Sequence, residues 1–389
     1  MKTTHSVHED LAMGEVSALR VLDRDGNKEN GLFHLATAEK RGILSKMRFS
    51  WNGKEWDGNL EWDRKIGSPA WSIETIPSGL DSNTPTIFTG REDGHFHAYM
   101  DDGMPAWSHS FDATISSFSA YIDPFTNDPL VLIPSIDRTL RLLDAKTGRY
   151  LWGDTFASGV NIATERLIQS ELVHMIVAGG NDNTVRAYER PARTSPREKN
   201  MYPMKWFYKF ESYVRDASIA NDGTIAAVAD DGFLKVLERD QGEIRFSYEH
   251  GSFAWKCHVS DTNNSVISSS FQVPVRLGNG SNEYLGNPGI VACHDLESGE
   301  LLWETAPGDG INVNCWDFAT VAGKSIACLG TTRGDILLLL VANGKPMQRI
   351  ETGSLINALE IVSCTNDFLD VIAALERSPG SIITCRLHL

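Results

Sequence analysis

No stretch of this chain approaches the roughly 18 apolar residues that a helix needs to cross a membrane. The longest candidate, ILLLLVA at Ile336 to Ala342, has the length of a buried strand. The opening MKTTHSVHEDLAMGEV holds no apolar run of export-signal length and carries Glu9 and Asp10. A cytoplasmic protein that does not engage membranes is therefore expected. The six cysteines stand apart at 257, 293, 315, 328, 364 and 385, with no CxxC pair. Several lie within apolar runs, as in IVACHD and IITCRLHL, which suits small buried thiols in a reducing compartment better than a disulfide frame. Positive charge is scarce: Lys and Arg number 36 against 51 Asp and Glu, a net charge of −15. Such a field opposes phosphate backbones, so nucleic acid is a disfavoured partner and basic proteins are a better match. There is no GxSxG elbow, no glycine-rich phosphate loop opening a helix and no HExxH.

What the chain does contain is a repeat. Short apolar segments open at Val16, Ala70, Ile115, Val160, Val214, Ala254, Ile311 and Ile356, reading VSAL, AWSI, ISSF, VNIA, VRDA, AWKC, INVN and INAL. Their spacing is about 45 residues, the length of four short strands and their turns. The copy at 115 shows the unit: strands at ISSFSAYI, PLVLIPS and TLRLL, then a turn at Ala145 to Gly148 leading into Arg149 to Phe156. Apolar runs punctuated by Asp, Asn and Gly recur through the other copies, as antiparallel hairpins require. The chain reads as an all-β, eight-bladed β-propeller of four-stranded antiparallel blades, one domain spanning 1–389. Seven blades is the alternative if 160–213 or 254–310 is not a true blade. The last copy supplies only three strands, and Thr4 to Ala12 is left over within residues 1–15. That segment is expected to close the ring as the missing outer strand, leaving no open sheet edge.

Tryptophans at 62, 107, 152, 206 and 303 fall in the fourth strand of five blades, with Phe246 and Met347 in matching places. Flat rings there fill the wedge between diverging sheets, so these five are read as packing residues. Two of them end the segments DAKTGRYLW (144–152) and DLESGELLW (295–303). These segments resemble the repeat of pyrroloquinoline-quinone-like propellers, in which a glycine-containing turn precedes a docking tryptophan. The resemblance extends over 15–389 in repeat length and is close in those two blades, while the Trp-Asp signature of WD repeats is absent. Quinone-dependent members carry a vicinal cysteine pair and a calcium site, and the assembly lipoproteins carry a lipidated cysteine. This chain departs on each cysteine feature, so the resemblance implies the scaffold use of the ring, with no cofactor and no metal.

The second position of each copy reads Ser17, Trp71, Ser116, Asn161, Arg215, Trp255, Asn312 and Asn357. It is polar or aromatic in every blade, where a buried position would be apolar. These side chains are expected to ring one mouth of the central channel, with Trp71, Asn161, Arg215, Trp255, Asn312 and Asn357 as candidate partner- or ligand-binding residues. The plainer reading is a water-filled mouth whose residues merely solvate the rim. The loop Phe271 to Gly289 belongs to the same face. The stretch Arg190 to Tyr202, with Arg190, Arg193, Arg197 and Lys199 against Glu198, projects from the other face as a basic patch. His95 and His97 share a strand face without an obvious third metal ligand. The functional expectation is a protein-binding scaffold or regulatory subunit acting through one face. The alternative is an enzyme or small-ligand sensor at the channel mouth; no catalytic residue is assigned.

Overall fold

The computed structural model describes residues 3–8, 11, 14–22, 31–76, 84–192, 200–272, 274–276, 282–284, 289–308, 310–365, 367–376 and 381–388. Eight four-stranded antiparallel sheets follow one another along the chain. Their innermost strands are Val16–Val21, Ala70–Thr75, Ser119–Ile122, Val160–Ile168, Val214–Ile219, Phe253–Ser260, Val313–Val321 and Ile356–Cys364, which number the blades one to eight. Both divergent copies form full blades, which removes the seven-bladed alternative. Innermost strands lie beside those of neighbouring blades, and the eighth returns to the first, closing the ring.

Closure comes from the N-terminus. Thr3–His8 pairs antiparallel with Ser381–His388, Thr3 opposite Leu387 and His8 opposite Ile382. It supplies the fourth strand of blade eight, slightly earlier in the chain than Thr4 to Ala12. The apolar core lies between blades. Ile168, Met175 and Val185 of blade four pack with Val214, Ala217 and Ile225 of blade five, and blades seven and eight share a similar cluster.

The turn-plus-tryptophan repeat has a direct structural cause. Asp144 Oδ1 accepts the backbone N–H groups of Lys146 and Thr147, and Asp295 Oδ1 those of Glu297 and Ser298. Each aspartate thus builds its own turn. The glycine that follows receives a ring from the preceding blade. Trp107 lies on Gly148 and donates its indole N–H to Ala145 O at 2.9 Å. Trp303 does the same at Gly344 and Val341 O, at 2.7 Å. Gly148 has φ +70, and a Cβ there would stand 2.7 Å from the Trp107 ring, so both backbone and neighbour demand glycine. Phe246 fills the same role against Gly299. Blade seven needs no such ring. The third and fourth strands of blade eight come from opposite ends of the chain, so no turn joins them, and Met347 packs into the core shared with that blade.

A second clasp went unread in the sequence. In blades three and four, Asp137 and Asp182 pair with Arg141 and Arg186 four residues on. Those guanidiniums lie 4.2 and 3.7 Å from the ring centroids of Phe111 and Phe156 in the preceding blades. Charge and stacking together fasten each strand to its neighbour.

Candidate interaction rim

In seven blades the innermost strand slips register near its start, after its first residue or, in blade six, its second, leaving one residue bulged. The bulged residues are Ser17, Trp71, Asn161, Arg215, Trp255, Asn314 and Asn357. A bulge re-aims its side chain out of the alternation that buries every second residue. This is the physical origin of the polar position seen in the sequence. In blade seven the bulge falls at Asn314, not Asn312. Asn312 is buried and brackets the backbone of Gln272, accepting from its N–H at 2.7 Å and donating to its carbonyl at 2.9 Å. In blade three the strand begins only at Ser119, and Ser116 is exposed ahead of it.

Four bulge residues stitch the ring. Ser17 Oγ donates to Ala70 O at 2.7 Å, Asn161 Nδ2 to Val214 O at 2.8 Å, Asn314 Nδ2 to Ile356 O at 2.8 Å and Asn357 Nδ2 to Val16 O at 3.0 Å. Each acceptor is the first residue of the next blade's innermost strand. Neighbouring innermost strands do not pair, so backbone groups on that edge need side-chain partners. Carboxylates further along the innermost strands do the reciprocal task. Asp216 accepts the Cys257 N–H at 3.1 Å, Asp317 that of Ile361 at 2.8 Å and Glu360 that of Val21 at 2.7 Å. Burial pushes the Asp216 carboxyl above the ordinary carboxylate range. These acids were missed; their signal was a lone carboxylate inside an apolar strand, as in VRDASI and INALEI.

Three bulge residues do not stitch. Trp71 is 40% exposed, and its side chain makes no hydrogen bond among the described residues. Arg215 bonds both oxygens of Asp230, with Nε to Oδ1 at 2.7 Å, and its guanidinium lies 5.7 Å from the Tyr213 ring and 5.9 Å from that of Trp255. Trp255 leans on Phe271, ring centroids 5.1 Å apart, and its indole N–H has no partner among the described residues. Tyr213 and Phe253 beside them are 45% and 42% exposed. The mouth therefore has an open aromatic sector on blades five and six, and Trp71 on blade two across the channel.

The remaining sequence candidates resolve differently. Arg190 belongs to no surface patch: it is 1% exposed, paired with Asp123 and set between Phe125 and Tyr202. Arg193, Thr194, Ser195, Arg197, Glu198 and Lys199 lie outside the described residues. Within Phe271 to Gly289, Pro274–Arg276 pairs antiparallel with Asn282–Tyr284, and most of the rest lies outside them. His97 Nδ1 stands 3.2 Å from the Arg91 guanidinium, and burial together with that charge lowers its pKa to about 4. Among the described residues, no three His, Cys, Asp or Glu side chains converge as a metal site would require.

Comparison with known proteins extends this picture. The family model described as outer membrane protein assembly factor BamB, built on PQQ-type repeats, matches residues 55–191. Among solved structures, Sqt1 of Saccharomyces cerevisiae superposes with a TM-score of 0.71 at 11% identity, covering 100% of both chains. Sqt1 of Chaetomium thermophilum, bound to the N-terminus of the ribosomal protein L10, gives 0.69 at 12% identity and 98% of each chain. BamB of Moraxella catarrhalis gives 0.61 at 17%, over 96% of this chain and 99% of its own. No curated protein sequence matches the chain.

Proposed function

Because the chain has the β-propeller fold shared by PQQ-like and WD-repeat-like proteins, we propose that it is a protein-binding scaffold. All of 1–389 would act as one domain, engaging its partner at the channel mouth that carries Trp71 and Trp255. One observation carries this reading. The bulge position is a structural clip wherever it is Ser or Asn, yet in blades two, five and six it holds Trp, Arg and Trp. Neither tryptophan makes the blade-to-blade bond; Trp71 is exposed, and Trp255 is half-buried against Phe271. Trp and Arg set on a rigid frame are residue types that dominate interface energetics. The likeness to a propeller solved with a bound protein segment supports the same use of the ring. A cytoplasmic setting accords with six cysteines that form no disulfide.

The test is capture of partners from the native source by the wild-type protein and by Trp71→Ala/Trp255→Ala. The double variant should lose its specific partner while its melting temperature stays within a few degrees of wild type. A deletion of 193–199, expected from the sequence to belong to the other face, should retain the partner. Loss in the deletion together with full binding by the double variant would place the interaction on the wrong face and end this reading.

A further inference from the structure

The Arg215 unit on the rim has the form of a cation receptor. Asp230 offers both carboxylate oxygens, Tyr213 and Trp255 flank the guanidinium, and Phe271 backs Trp255. Carboxylate plus aromatic walls is what a protein uses to hold an arginine or an alkylammonium group. Here the occupant is the protein's own side chain.

Among the described residues other arginines sit on a carboxylate and over rings, and the contrast with them is informative. The side chains of Arg190 on Asp123 and Arg386 on Asp370 are 1% and 11% exposed, and those of the clasps Arg186 and Arg141 are 16% and 25%. Arg215 has a side chain 32% exposed and stands on the open rim. Joining blade five to blade six is already done by Asp216, whose carboxylate takes the Cys257 N–H. The Arg215 pair is therefore not needed to fasten those blades. Its surroundings are acidic as well: Glu211 is exposed, Asp231 is half-buried beside it, and neither forms an ion pair among the described residues. The Trp255 indole N–H is buried and has no partner among the described residues.

We propose that this seat receives an arginine or lysine side chain of a cationic partner segment, and that Arg215 occupies it in the free protein and swings into solvent on binding. The proposal rests on the rim being the partner-binding face and names the partner's chemistry. The exchange replaces one cation–carboxylate pair by another. It costs little beyond freeing Arg215, and it leaves Arg215 as an internal competitor. Removing that competitor should tighten binding, the reverse of what happens when an anchor is lost. The chain's overall charge of −15 would speed the encounter at low salt.

The experiment uses the full chain and fluorescein-labelled acetyl-Gly-Arg-Gly-Arg-Gly-amide, read by anisotropy at low ionic strength. The counterpart is the same peptide with citrulline, which keeps the shape and removes the charge. The arginine peptide should bind about tenfold more tightly than the citrulline peptide. Arg215→Ala should tighten it severalfold, and Arg215→Ala/Asp230→Asn should abolish that gain. Arg149→Ala, an equal charge change at an exposed site just before the outer strand of blade three, should leave affinity within about twofold. Binding that is unchanged or weaker in Arg215→Ala, equal binding of both peptides, or the same tightening in Arg149→Ala would each overturn the proposal. If the arginine peptide fails while Trp71→Ala/Trp255→Ala still abolishes partner capture, the rim reading stands and only the cation seat falls.

Discussion

Trp303 and Trp71 are the same residue type in opposite circumstances. Trp303 is wedged against Gly344 with its N–H bonded to Val341 O, whereas the Trp71 side chain has no hydrogen bond among the described residues and the residue is 40% exposed. Trp303→Ala should destabilise the fold by about 3–5 kcal/mol, as truncation of a packed ring does, while Trp71→Ala should cost within about 0.5 kcal/mol. Urea unfolding of the two variants measures the difference, and equal losses would mean that the rim tryptophan is a core residue. Histidines give a second handle at this scale. His250 and His294 are 1% and 2% exposed, and burial lowers each pKa to about 4 from an ordinary 6.5. Both are neutral in the fold and charge readily only once unfolded. Their contribution is therefore complete above about pH 6.5 and drains away as pH falls toward 4. For His250 the loss reaches about 2 kcal/mol by pH 5. His294 packs against Tyr248 at a centroid distance of 4.3 Å, so His294→Phe should keep the packing and flatten the decline of urea stability between pH 7.5 and 5. An unchanged slope would show that His294 does not drive it.

The telling element is the strand Thr3–His8. It adds the outer edge to a blade whose other three strands come from the far end of the chain. Without it, Ser381–His388 would present a row of unpaired backbone groups beside a buried apolar face. Removing residues 1–8 should lower the melting temperature and bring concentration-dependent aggregation, followed by light scattering. Thermal unfolding identical to wild type would mean that the closure contributes nothing. The turn element shows how far local sequence reaches. In DAKTGRYLW the aspartate shapes the turn, the glycine accepts the Trp107 ring of the preceding blade, and Trp152 packs on Tyr188 and Tyr202 of the next. Turn and docking ring recur at blade spacing, which is why blade count and docking tryptophans were legible.

At the scale of the whole molecule the ring presents two faces. On one lie the strand starts with Trp71, Arg215 and Trp255; on the other, the buried root of 190–202, where Arg190 meets Asp123. If the acidic surface steers a cationic partner, the association rate should fall steeply with added salt while the dissociation rate changes little. Stopped-flow mixing between about 20 and 200 mM salt reads this directly. A salt-independent association rate would assign the charge to solubility alone.

The amino-acid sequence by itself determined the all-β class, eight copies, the need for an N-terminal closing strand and the packing tryptophans. These follow from composition and from signals within about ten residues of each other: alternation, turn residues and spacing. Only the tertiary structure decided what the polar ring does. Asn161 and Asn357 became stitches because a carbonyl of the next blade lies within reach, and for Asn357 that carbonyl belongs to Val16, at the other end of the chain. A one-residue bulge then moved blade seven's stitch from Asn312 to Asn314. Arg190 left the expected surface patch because Asp123, in the neighbouring blade, was there to pair with it. Each of these outcomes depends on a partner supplied by another blade, and no local pattern of residues records which partner the closed ring will bring.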